Sequence, residues 1–176
     1  VEAVRSISTT PAPTPTPSTG DFPAVINGTG GYVPFPITSG VTGLKSDVLL
    51  ISGKADCQNA VGGRIGTDNG EVYMSSKCVS QGDVWGTTKL DLQGTVNGNA
   101  YLISSSAESV YLSGTVNGNI YTNAKSVDLQ GTVTGNVIHI NPAATSFYMR
   151  GKISGNIHTT AESVQIQGAV GGDVVH

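Results

Sequence analysis

From Leu90 onward, apolar and polar positions alternate in short runs, the period-two signature of strands whose successive side chains point to opposite faces. Across positions 110–120, Val110, Leu112, Val116 and Ile120 share one parity with Gly114 and Gly118. The same register selects Val127, Leu129, Val133 and Val137, then Phe147, Met149, Ile153 and Ile157, then Val164, Ile166, Val170 and Val174. Sets that return in this way predict turns of strand stacked on one another, with an apolar column running inside an all-β, single-stranded solenoid.

A short phrase marks the turns. It reads Gly94-Thr-Val-Asn-Gly-Asn99, Gly114-Thr-Val-Asn-Gly-Asn119, Gly131-Thr-Val-Thr-Gly-Asn136, Gly151-Lys-Ile-Ser-Gly-Asn156 and Gly168-Ala-Val-Gly-Gly-Asp173, so the starts 94, 114, 131, 151 and 168 are separated by 20, 17, 20 and 17 residues. Each turn closes on Ala-x-Ser, as in Ala107-Glu-Ser109 and Ala124-Lys-Ser126, and the longer turns insert three residues ahead of this corner. One edge should therefore bulge on every second rung, about every 9.6 Å at ~4.8 Å per strand. Degraded copies, Leu49-Leu-Ile-Ser-Gly53, Val61-Gly-Gly-Arg-Ile65 and Gly82-Asp-Val-Trp85, extend the solenoid over 48–176, with regular rungs over 90–176. This gives about six to seven rungs. The 17/20 alternation suits a right-handed parallel β-helix better than a left-handed one, which wants ~18-residue coils of hexapeptides.

Ahead of the solenoid, residues 1–20 contain Thr-Pro-Ala-Pro-Thr-Pro-Thr-Pro, which holds a chain extended as a linker or stalk. Residues 21–47 carry prolines 23, 34 and 36, which exclude a central strand and suggest a cap or edge segment. Asn27-Gly-Thr29 matches the N-glycosylation acceptor pattern, and its turn chemistry favours reading it as a turn.

Candidate chemistry lies in outward columns. Asn99, Asn119, Asn136, Asn156 and Asp173 each follow a glycine, and their expected role is a hydrogen-bonded ladder at a tight corner. One aromatic column reads Trp85, Tyr101, Tyr121, Ile138, His158 and Val175. Within it Trp85, Tyr101, Tyr121 and His158 are candidates for stacking on sugar rings, against the alternative that they pack on one another. A second column alternates Tyr73, Asp91, Tyr111, Asp128, Tyr148 and Gln165. Thr95, Thr115 and Thr132 form a short polar row resembling those of ice-binding solenoids, broken by Lys152 and Ala169. No spacing places His139, His158 or His176 beside a nucleophile, or carboxylates within hydrogen-bond reach, so no catalytic residue, cofactor or metal site is expected.

With 9 Lys+Arg against 12 Asp+Glu the net charge is -3, and no basic cluster offers a footprint for nucleic acid. No apolar run reaches the ~20 residues of a membrane helix, and no signal-peptide pattern stands at Val1. Cys57 and Cys78 are the 2 cysteines; they read as one disulfide joining neighbouring rungs, or as two buried thiols. The disulfide would imply an oxidising compartment.

The recurring V-x-L-x-G-x-V-x-G-N/D-I/V, carried by Val110, Leu112, Gly114, Val116, Gly118, Asn119, Ile120 and their copies, resembles the bactofilins over roughly half the chain. That resemblance implies a right-handed β-helix that polymerises end to end without nucleotide, flanked by proline-rich tails. The cysteine pair and the Thr/Pro stalk point to such a solenoid outside the cell, extracellular or at the cell surface, the alternative being a cytoplasmic bactofilin-type cytoskeleton. The expectation is a non-enzymatic structural subunit whose partner is a second copy. Val174-Val-His176 closes mid-rung, so a further chain should cover that end. The competing expectation is a monomeric, stalk-borne adhesin with a glycan partner.

Overall fold

The computed structural model describes residues 48–50 and 52–176, so the linker over 1–20, the cap over 21–47 and Asn27 lie outside the described residues. The described strands form a β-solenoid in which every pairing is parallel. A representative rung consists of Ser109–Leu112, Thr115–Val116 and Ile120–Thr122. Stacked copies of these three strands build three sheets. The first has seven strands, from Ala55–Cys57 to Ser163–Ile166; the second has six, from Val79–Ser80 to Ala169–Val170; the third has eight, from Val48–Leu50 to Val174–Val175.

The alternation read from the sequence sets which side chains enter the core. Val110, Leu112, Val116, Ile120, Val127, Leu129, Val133, Val137, Ile153 and Ile157 are all buried, together with Phe147 and Met149. The last rung departs from the expectation. Val164, Ile166 and Val170 are only partly buried, and Val174 is 46% exposed. The reason is geometric: a solenoid side chain is covered from above and below, and among the described residues this rung is covered from one side. The core also admits polar groups that hydrophobic periodicity could not pick out. Thr67, Thr122, His139 and Thr159 line an inward column of the third sheet.

Glycine at the head of the phrase is enforced by proximity. A Cβ on Gly131 would fall inside the van der Waals sphere of the Gly114 carbonyl oxygen, and a Cβ on Gly151 would meet the Gly131 carbonyl in the same way. Only hydrogen fits where the backbone of one rung approaches the next so closely.

Cys57 and Cys78 form a disulfide with a Cα–Cα distance of 5.7 Å. Cys57 is the last residue of Ala55–Cys57, paired with Met74, and residues 58–60 follow it outside any strand. Cys78 occupies the position taken by glycine in later rungs, since its carbonyl accepts from Thr95 N–H as Gly94 accepts from Thr115 N–H. With the two cysteines 21 positions apart in sequence, closing this loop stabilises the fold by about 3 kcal/mol.

The glycine contact generates a sharp expectation. Gly131→Ala should destabilise the solenoid by about 3 kcal/mol in chemical denaturation, because overpacking here meets rigid backbone. Thr132→Ala, one residue on and facing outward, should change stability by less than about 1 kcal/mol; similar losses for both would contradict the close-approach account.

Candidate functional site

The Asn corner is a continuous ladder. Asn99 Oδ1 accepts the backbone N–H of Asn119 at 2.8 Å, Asn119 Oδ1 that of Asn136 at 2.7 Å, Asn136 Oδ1 that of Asn156 at 2.8 Å, and Asn156 Oδ1 that of Asp173 at 2.8 Å. The Nδ2 groups of Asn119 and Asn136 also donate to the oxygen one rung back, both at 3.3 Å. Asp83, not among the sequence candidates, begins the run by accepting from Asn99 N–H at 2.7 Å. Its signal was present in Gly82-Asp83, which repeats the Gly-Asn pairing with a carboxylate in place of the amide. The preceding glycine leaves space for these oxygens: a Cβ on Gly118 would sit 2.6 Å from Asn99 Oδ1. This corner is occupied by its own bonding, and its amides serve the scaffold.

A shorter amide run borders the second sheet. Asn97 Nδ2 donates to Gln81 Oε1 at 3.0 Å and Asn117 Nδ2 to Asn97 Oδ1 at 2.8 Å. Thr95, Thr115 and Thr132 stand in register beside it, followed by Lys152 and Ala169.

The column proposed for sugar stacking is assembled in the third sheet, where Trp85 pairs with Tyr101, Tyr101 with Tyr121, Tyr121 with Ile138, and Ile138 with His158. Its first member does not face solvent as expected: Trp85 is buried, at 7% exposure. Tyr101 and Tyr121 stack on each other with centroids 5.2 Å apart and planes 9° from parallel. Each of these two rings thus covers one face of the other. Partial burial raises the Tyr101 pKa above its ordinary value, the negative charge of Asp83 and the neighbouring Tyr121 raise it further, and a hydrogen bond with Asn99 opposes them.

The alternating column lies on the first sheet in the expected order, with Asp56 preceding Tyr73. Asp91 and Asp128 thus share a column but stand two rungs apart, with Tyr111 between them. Among the described residues no group of three or more His, Cys, Asp or Glu is placed to hold a metal ion. No helix among them is long and apolar enough to cross a membrane.

His139 is the one fully buried imidazole. Its Nε2 lies 2.8 Å from the Ala124 carbonyl, which can only accept, so Nε2 carries the proton and Nδ1 faces Thr159 Oγ1 at 3.0 Å. The ring stacks on Phe147 at 5.8 Å. His158, by contrast, is half-buried on the outer face, and His176 reaches the Ala161 carbonyl at 2.8 Å from the last rung. His139 and His176 thus follow the same inward column two rungs apart, with the Thr159 hydroxyl between them, and His158 stands on the outer face.

Burial pushes the His139 pKa below its ordinary 6.5, partly offset by the bond to Ala124. The unfolded chain therefore binds the proton more readily, and the corresponding stability is complete above about pH 6.5 and lost as pH falls through the folded value. His139→Leu, which places in this column the residue already present at Leu102, should remove that component. The check is the pH dependence of the unfolding free energy in both proteins; curves of equal slope below pH 6.5 would contradict it. Asn119→Ala should cost about 1–3 kcal/mol by stranding the N–H of Asn136, measured by urea denaturation.

A scan against family models, a search of curated proteins and a search of solved structures each returned no match to this chain. The fold itself is a β-solenoid, compatible with the bactofilin-like pattern in its repeats.

Proposed function

We propose that this protein is a non-enzymatic structural subunit, a bactofilin-like solenoid that assembles with second copies of itself through the edge of its last described rung. The observation that carries this reading is the rung made by Ser163–Ile166, Ala169–Val170 and Val174–Val175. Each of these strands is an edge strand, paired on one side only among the described residues. Its inward residues Val164, Ile166 and Val170 are partly uncovered, and Val174 is exposed. A parallel edge with free backbone groups and an apolar inner line is a template for a further rung. The disulfide favours an extracellular or cell-surface setting. The glycan-binding head built on Trp85, Tyr101, Tyr121 and His158 is the weaker reading, since Trp85 is buried and Tyr101 and Tyr121 cover one face of each other.

Light scattering and electron microscopy of the purified protein test the proposal. The wild type should form concentration-dependent oligomers or filaments, and Val170→Lys/Val174→Lys, which charges the open edge, should shift it to monomer. A wild type that stays monomeric across micromolar to millimolar concentration, with and without reductant, would overturn it.

A further inference from the structure

The outer face of the first sheet carries an order that the core does not require. Its central column runs Asp56, Tyr73, Asp91, Tyr111, Asp128 and Tyr148 on successive rungs, carboxylate and phenol in strict alternation. Successive members are separated by 17, 18, 20, 17 and 20 residues. The alternation therefore continues through the irregular early rungs, where the 17/20 spacing is lost, and copying of a regular two-rung unit does not account for it.

Each Asp rung adds a second polar group. Gln58 donates to Asp56, Gln93 Nε2 donates to Asp91 Oδ1 at 3.2 Å, and Gln130 Nε2 donates to Asp128 Oδ2 at 3.0 Å. These pairs set an acceptor and an amide side by side between the aromatic rungs. Surface cations reach two of the rings: Lys54 Nζ lies 4.9 Å from the Tyr73 centroid and Arg150 Cζ 4.7 Å from that of Tyr148. Unlike the stacked pair Tyr101 and Tyr121 on the third sheet, tyrosines here stand two rungs apart, about 9.6 Å at ~4.8 Å per rung.

We propose that this face binds an extended, neutral β-1,4-linked polysaccharide lying along the solenoid axis. In such a ribbon each sugar is turned over relative to the last, so every second ring presents the same C–H face at the same height. That two-residue repeat matches the two-rung repeat of Tyr73, Tyr111 and Tyr148, whose π faces attract C–H groups. The hydroxyls of the intervening sugar are equatorial and project from the ribbon's edge, where an Asp–Gln pair supplies acceptor and amide together. Three carboxylates in line disfavour polymers of uronic acids or sulfated sugars. An α-1,4 glucan coils and cannot follow a straight row. The site is independent of end-to-end assembly, since it uses the side of the solenoid.

Retention of the full chain on microcrystalline cellulose, chitin and an amylose resin tests this, alongside the variants Tyr73→Thr/Tyr111→Thr/Tyr148→Thr and Tyr73→Phe/Tyr111→Phe/Tyr148→Phe. The wild type and the Phe variant should be retained on cellulose or chitin, and the Thr variant should bind roughly tenfold or more weakly. Absence of wild-type retention on both supports, unchanged retention of the Thr variant, or equal retention on amylose would overturn the proposal. A second measurement stands even if the Thr variant does not fold. Titrating cellohexaose or chitohexaose, whichever matches the support that retains the wild type, should shift the ring resonances of Tyr73, Tyr111 and Tyr148 and leave those of Tyr101 and Tyr121 unmoved, and the reverse pattern or no shift would overturn it.

Discussion

The structure depends on one crowded line, where the backbone of each rung passes over the carbonyl oxygen of its counterpart one rung back. At Gly114, Gly131 and Gly151 there is no space for a Cβ, and the approach is to backbone that cannot step aside. Four residues later, the second glycine leaves the gap into which the Asn side-chain oxygen of the preceding rung projects. The two glycines thus let rungs sit at strand spacing and let a side chain satisfy a backbone donor at the corner. Each bond is individually modest, but a donor left unsatisfied at this corner would cost more than the bond contributes.

Because the corner fixes register, every other position becomes a column, inward or outward without ambiguity. Inward columns close the core over apolar residues and accommodate His139 between Ala124, Phe147 and Thr159. Outward columns become one-dimensional arrays with rung spacing, and their chemistry depends on whether neighbours satisfy each other. Tyr101 and Tyr121 do so by stacking. The Tyr and Asp rungs of the first sheet alternate instead, so like groups are held two rungs apart. Regularity of this kind gives a solenoid two resources, an edge that can take a further rung and a side that can follow a repeating polymer.

Much of the solenoid was legible in the sequence because strand alternation and the Gly-x-Val-x-Gly-Asn phrase act together: the first gives the face, the second the corner. The Asn ladder followed from the same phrase, and Asp83 escaped because its copy, Cys78-Val-Ser-Gln-Gly-Asp83, has lost the opening glycine that marks the phrase. Burial of Trp85 was not legible, because period-two logic assigns it outward and says nothing of what covers an outward residue. Exposure of Val174 was legible only in part: its register puts it in the core column, while Val174-Val-His176, closing mid-rung, already pointed to an uncovered end. The buried His139 and Thr159 were hidden for a different reason: a polar side chain that finds its partners one rung away looks, in sequence, like any surface residue.

Amide hydrogen exchange resolved by residue tests the central claim most directly, since it reads the ladder one donor at a time. If side-chain oxygens hold the corner, the N–H groups of Asn119, Asn136 and Asn156 exchange as slowly as those of the core strand residues Val116 and Val133. Exchange at those asparagines as fast as at the exposed Ser105 would contradict it.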